Sequence, residues 1–196
     1  AASVTETTKA SGNNARAYRR LKEMQRAQLE DWALDEAAGR LPGARLEWLE
    51  HSDFAKAEPQ FVLTRRFFVP DFAQAVGDFM LVRLPMPQFN PSQVARPQRR
   101  YDLFWNGASL VRNTARIEPP AGYRVYSMPG RVQAGSGGWS YRADFRVASN
   151  EPLVVEFEED YRREALDAPK SAYADLRTTL MTRALTQRQW IVLKRN

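Results

Sequence analysis

The sequence predicts an α+β fold of two β-rich, sandwich-like and mainly antiparallel subdomains, each carrying one helix. Three observations predict it. Apolar and polar residues alternate with period two in short runs bounded by Gly, Pro, Asn and Ser. Only two stretches carry the 3.6-residue period of an amphipathic helix. Of the 196 residues 43% are apolar, with ten Phe, seven Tyr and five Trp, enough for a core and too apolar for global disorder.

Val4 to Lys9 alternates, is rich in β-branched residues, and reads as a strand. Ser11-Gly12-Asn13-Asn14 supplies a turn and a helix N-cap. A helix is predicted from Ala15 to Ala38, with Tyr18, Leu21, Leu29, Trp32 and Ala33 on one face and Gln25 interrupting that face. Gly39 stops it, and Leu41-Pro42-Gly43 turns the chain. Short strands follow at Leu46 to Leu49, Phe61 to Val69 and Asp78 to Leu84. A proline-rich passage from Pro85 to Pro97 is the expected boundary between subdomains spanning residues 1–90 and 97–196.

Beyond it, strands are predicted at Tyr101 to Trp105, Leu110 to Glu118, Tyr123 to Met128, Trp139 to Val147 and Leu153 to Tyr161. Gly135-Ser136-Gly137-Gly138 reads as the hairpin turn between Tyr123–Met128 and Trp139–Val147 rather than a phosphate cradle, because an aromatic strand follows it and no Gly-Lys-Ser/Thr does. Pro169 opens a second helix with Tyr173, Leu176, Leu180 and Ala184 on one face, and Trp190 to Leu193 closes the chain as a strand.

Composition narrows the chemistry. The chain has no cysteine and one histidine, His51. Thiol nucleophiles, disulfides and cysteine-based metal sites are thereby excluded from it. His51 is adjacent only in sequence to Ser52 and Asp53, whereas a catalytic triad is assembled from separate segments, so it reads as a loop residue. Glu156, Glu158, Glu159 and Asp160 read as the solvated face of a strand, neutralised by Arg162-Arg163. No catalytic residue, cofactor or metal site is expected.

The net charge of +6 raises non-specific binding to an anionic surface or nucleic acid, but the basic residues come in scattered pairs (Arg19-Arg20, Arg65-Arg66, Arg99-Arg100, Arg162-Arg163, Lys194-Arg195) with no accompanying recognition motif. Specific nucleic-acid binding is not expected. No apolar run approaches the roughly 18 residues of a membrane span. Ala1 to Thr7 lacks the features of a signal peptide and alternates like a strand, so the chain is expected to be a piece of a larger protein. Trp105, Tyr123, Tyr126, Trp139 and Tyr141 are the candidate ligand contacts, as an aromatic platform for a glycan.

One stretch carries a resemblance. Glu118-Pro119-Pro120-Ala121-Gly122-Tyr123-Arg124-Val125-Tyr126-Ser127-Met128-Pro129 resembles an LPxGYxVxxxP segment, with Glu118 where an apolar residue usually precedes the proline. Arg100-Tyr101-Asp102-Leu103 ahead of it resembles an RxYPL strand. The glycine-rich hairpin ending in Trp139-Ser140-Tyr141, the Pro169 helix and the final Ile191-Val192-Leu193-Lys194 strand follow in matching order. The chain thus resembles the C-terminal, post-catalytic β-rich region of bacterial transglutaminase-like proteins that carry an N-terminal β-domain of unknown function. The resemblance implies a non-catalytic accessory region that packs on or positions the catalytic core of the same polypeptide, or binds a protein or glycan partner. It also implies a periplasmic or cell-envelope location. That family's acyl-transfer chemistry needs a Cys-His pair, and no position here matches it, so no catalytic role carries over.

Overall fold

The alternating runs find their partners mostly in one long sheet. The structure is a computed structural model and describes residues 1–54, 56 and 60–196. The chain begins with β1 (Ala2–Ser11), α1 (Gly12–Arg19), a 3-10 turn (Arg20–Glu23) and α2 (Arg26–Ala38). β2 (Arg45–His51), β3 (Phe61–Val69), β4 (Ala73–Val76) and β5 (Phe79–Arg83) follow. After a 3-10 turn at Pro91–Val94 come β6 (Leu103–Phe104), β7 (Ser109–Ile117), β8 (Tyr123–Ser127), β9 (Val132–Ser136), β10 (Trp139–Asn150) and β11 (Leu153–Arg163). β12 (Asp167–Ala168), α3 (Tyr173–Thr186) and β13 (Trp190–Arg195) complete the chain.

Seven strands form an antiparallel sheet in the order β2-β3-β1-β7-β11-β10-β9. Four form a second sheet, β4-β5-β13-β8, and β6 pairs with β12. The α+β class with mainly antiparallel, sandwich-like sheets is the one the alternation predicts. No helix of the described residues is long and apolar enough to cross a membrane.

Side-chain parity decides the inner face of the long sheet, because successive residues of a strand point to opposite sides. Val4 and Ala10 of β1, Phe61, Leu63 and Phe67 of β3, Ala115 and Ile117 of β7, and Val155 and Phe157 of β11 all turn inward. The pairings Val4↔Ile117 and Ile117↔Val155 keep them on one side. Over β2-β3-β1 that side is covered by Ala15 of α1 and Leu29 and Ala33 of α2. Over β7-β11-β10 it is covered by Leu176 and Leu180 of α3 and by Val82, Ile191 and Leu193 of the second sheet. Each fully buried Leu, Ile or Phe contributes about 1.5–3 kcal/mol.

Several expectations change. The single helix from Ala15 to Ala38 is broken, since Met24 and Gln25 are extended and the Gln25 N–H donates to the Gln28 side chain at 2.9 Å. A straight 24-residue helix would run about 36 Å, longer than the roughly 30 Å of a nine-residue strand. The break, at the polar residue that interrupts the apolar face, lets both helices lie on the sheet. The Gly137-Gly138 turn joins β9 to β10, not Tyr123–Met128 to the aromatic strand. Ser136 pairs with Trp139, and both glycines have positive φ, as a two-residue hairpin loop requires. Strands not foreseen are β4, which pairs with β5, β9, which pairs with β10, and the short β12, which pairs with β6.

The expected boundary at Pro85–Pro97 does not separate two sheets. β1 pairs with β7 from Val4↔Ile117 to Ser11↔Leu110, and β5 pairs with β13, so both sheets draw strands from each side of it. Helices are not one per half either: α1 and α2 precede the passage and α3 follows it. The passage itself is anchored by Met86 and Val94, both fully buried. Proline interrupts a ladder wherever it stands, so a strap across a core and a linker look alike in sequence.

Candidate functional site

Several inward positions of the long sheet carry polar side chains, and these form two clusters. In the first, Glu6 of β1 stands opposite Arg65 of β3 and accepts a hydrogen bond from it at 2.9 Å. Arg40 donates to Glu6 at 3.2 Å and lies 3.6 Å from Glu36 of α2, which also pairs with Arg65. Two carboxylates thus meet two guanidiniums. Burial pushes the Glu6 carboxyl above the usual carboxylate value, against the opposing pull of Arg40 and Arg65.

The second cluster centres on Glu159 of β11, which is fully buried. It accepts from Asn113 of β7 at 2.7 Å, from Arg183 of α3 at 3.1 Å, from Gln187 at 2.8 Å and from the Tyr141 hydroxyl at 3.1 Å. Thr8 of β1 donates to Asn113 at 3.0 Å, extending the network across three neighbouring strands. Burial, with Glu159 beside it, pushes the Tyr141 hydroxyl far above the usual phenol value. Such a network is stable only because its polar groups are paired.

Arg163, four residues along β11 from Glu159, breaks this pattern. It is only 7% exposed, yet among the described residues no carboxylate forms an ion pair with it. Its Nη2 donates to the Gly107 carbonyl at 2.8 Å, and its Nε has no hydrogen-bond partner. The guanidinium lies over the Trp105 ring, 4.3 Å from the centroid. Burial pushes its pKa below the usual arginine value.

This cation opens onto a cleft of about 440 Å³. The floor is Val111 and Asn113 of β7 with Tyr161 and Arg163 of β11. One wall is Asn13, Asn14 and Tyr18 of α1. That wall depends on Gly12, whose φ of +60° starts α1 where a Cβ would stand 2.1 Å from the Ala108 carbonyl oxygen. Asn14 then reaches the Ser109 hydroxyl. Tyr18 stacks on Phe61 with centroids 5.5 Å apart.

The opposite wall is the proline-rich strap, with Gln88, Phe89 and Gln93. Gln187 holds it by accepting from the Phe89 N–H at 2.5 Å while donating to Glu159. Arg99 reaches the Gln93 carbonyl at 2.6 Å, and the Tyr173 hydroxyl reaches the Arg96 carbonyl at 2.6 Å. Arg183 lies between the strap and the floor, 5.0 Å from the Phe89 centroid and 4.9 Å from that of Tyr161. The Glu159 network therefore fixes both the floor and a wall of the cleft.

Among the described residues no Asp, Glu, His or Lys lines this cleft. Its chemistry is hydrogen-bond donation, amide pairing, aromatic contact and positive charge. A second hollow, about 390 Å³, lies on the outer face of the sheet beside Thr7, Arg116, Arg146 and Glu156. There Glu156 pairs with Arg116 at 3.1 Å and with Arg146 at 2.7 Å, so both arginines already face a carboxylate.

The five candidate aromatics do not share a face. Trp105 lines the cleft. Trp139 and Tyr141 are core residues, at 3% and 0% exposure, because their parity on β10 turns them inward. Tyr123 is half-buried on β8, beneath Arg195 at 5.7 Å. Tyr126 is exposed on the same strand, edge-on to Phe79 at 5.1 Å. The flat platform is therefore not assembled, since strand parity and the division between two sheets disperse it.

Other expectations fare unevenly. The acidic run divides by parity: Glu156 and Glu158 lie on the outer face with its ion pairs, whereas Glu159 is fully buried. His51 Nδ1 lies 2.8 Å from the Ser52 carbonyl oxygen, and its ring stands 4.0 Å from that of Phe54. Among the described residues no group of three or more His, Cys, Asp or Glu is placed to hold a metal ion. The arginine pairs diverge, with Arg65 in the buried Glu6 cluster, Arg163 buried against Trp105 and Arg66 on the outer side beside Glu47 at 3.2 Å. Sequence reasoning missed Arg163 as a site residue, although its odd parity with Phe157 and Tyr161 marked it as inward-facing. Comparison with protein-family models, curated proteins and solved structures finds no match to this chain.

Proposed function

We propose that this chain is a non-catalytic binding module whose cleft receives an anionic ligand. The observation that carries this reading is Arg163, a buried and unpaired cation on the floor of a cleft lined by donors, amides and rings. An isolated buried charge is costly, and a site that keeps one is matched to an opposite charge brought from outside. Among the described residues the lining offers no carboxylate, imidazole or lysine as general base, which supports binding rather than turnover. The sequence resemblance supports reading such a module as an accessory to a transglutaminase-like core in the same polypeptide, in a bacterial envelope or periplasm, with the parent chain supplying any acyl-transfer chemistry.

Two measurements test this. The chain is assayed for ester and amide hydrolysis, and its thermal unfolding is followed with a panel of small anions. The expected result is no turnover above buffer and a raised Tm with at least one anion, lost in Arg163→Met. Turnover that co-purifies with the chain overturns the reading, whether or not Arg163→Met removes it. The context is tested separately: a Cys, His and Asp set encoded upstream of Ala1 supports it, and a different upstream domain overturns it.

A further inference from the structure

We infer that the ligand of the Arg163 cleft is an acidic sugar, a pyranose bearing a carboxylate. This rests on the reading of the cleft as a binding site for an anion and names the class of anion. Three observations point to it.

The first is the charge. Arg163 offers a single uncompensated guanidinium, and the second arginine of the cleft, Arg183, is already committed to Glu159 at 3.1 Å. One net positive charge matches one carboxylate. A phosphate, with up to two charges, is ordinarily met by several cations or by a fan of backbone N–H groups. Arginine's planar donors also suit the planar carboxylate.

The second is the set of amides. Asn13, Asn14, Gln88 and Gln93 stand on the two walls, flanking the arginine. Each amide carries a donor and an acceptor side by side, which is what a sugar hydroxyl, itself donor and acceptor, requires. Asn13, Gln88 and Gln93 are exposed and open to a ligand, while Asn14 already donates to Ser109, and a simple fatty or aromatic acid would make no use of them. An extended peptide would instead draw on an open strand edge, and the floor strands β7 and β11 are interior strands of the sheet, paired on both sides.

The third is the rings. Trp105, Phe89 and Tyr161 present apolar surface in the same cleft. The C–H faces of a pyranose are apolar while its rim is polar, and aromatic rings beside amides fit that division. At about 440 Å³ the cleft is of ligand-binding size, within the usual range of roughly 300–1,000 Å³.

The test is calorimetric titration of the whole chain with D-glucuronate, D-glucose, acetate, inorganic phosphate and a short acidic peptide. The variants Arg163→Met, Arg163→Lys, Trp105→Ala and Arg146→Met are run in parallel. Glucuronate is expected to bind at least about tenfold tighter than glucose or acetate, since it alone combines the carboxylate with the ring. Arg163→Met lowers its affinity by about tenfold or more, as loss of a charged hydrogen bond requires. Arg163→Lys recovers only part of it, Trp105→Ala weakens it, and Arg146→Met on the outer face leaves it unchanged. Circular dichroism confirms that each variant is folded. Equal binding of glucose and glucuronate overturns the inference. So does tighter binding of phosphate, acetate or the peptide than of glucuronate, although if Arg163→Met abolishes that binding the anion-binding reading stands. Binding of no anion, or anion binding indifferent to Arg163, sinks both.

Discussion

Two arginines of the same sheet, Arg65 on β3 and Arg163 on β11, meet opposite surroundings. Arg65 and Arg163 both point to the inner face, and both are nearly inaccessible to water, at 1% and 7%. Arg65 meets Glu6 from the adjacent strand and Glu36 from the helix above. Arg163 meets a backbone carbonyl and an indole ring. Where α2 crosses the sheet a carboxylate is delivered, and where the strap and α1 stand apart a cleft is left. A buried charge that is neutralised within the chain belongs to the architecture, and the one that is not is the basis of the proposed anion site.

Substitutions can break this contrast. The largest expected effect is at the matched cluster. Arg65→Met leaves Glu6 and Glu36 with one guanidinium between them and should cost about 3–5 kcal/mol, read as a lowered midpoint in urea denaturation. Tyr141→Phe removes one donor to the buried Glu159 and should cost about 1.5–3 kcal/mol in the same experiment. A result near zero would mean that the Glu159 network tolerates an open valence.

Arg163→Met should go the other way. It removes an unpaired buried cation, so stability in the absence of ligand is expected to hold or rise by about 1 kcal/mol. A loss as large as that of Arg65→Met would make Arg163 a structural residue and erase the distinction. The smallest effect belongs to the outer face: Arg146→Ala, in an exposed pair with Glu156, should stay within about 0.5 kcal/mol. Those four values, in that order, sharpen the comparison into a scale running from buried matched charge to exposed charge.

Parts of this were legible in the residues alone. Phe61–Val69 is a strand with the bounds its alternation marks, and the α3 face of Tyr173, Leu176, Leu180 and Ala184 is buried as its spacing requires. The helix break was signalled by Gln25 in an apolar face, and the inward turn of Glu159 and Arg163 by their parity. The Glu159 signal was masked by its neighbours: Glu158 and Asp160 are acidic too, and a run of like residues hides a difference of face. The strap was not legible, because proline breaks the period wherever it stands.

The sequence by itself determined which side chains face inward, because period-two geometry is a property of each strand taken alone. It thereby determined the α+β class, most elements, and the presence of charged residues on an otherwise apolar face. Only the tertiary structure decided which of those charges is matched. Glu6 meets Arg65 through a strand register 59 residues apart in sequence, and Arg183 meets Glu159 across a helix–sheet contact. Arg163 meets no acid because α1, held by Gly12, and the strap, held by Gln187, frame a cleft instead. Charge compensation falls steeply with distance, and the distances are set by packing between segments that no local pattern connects.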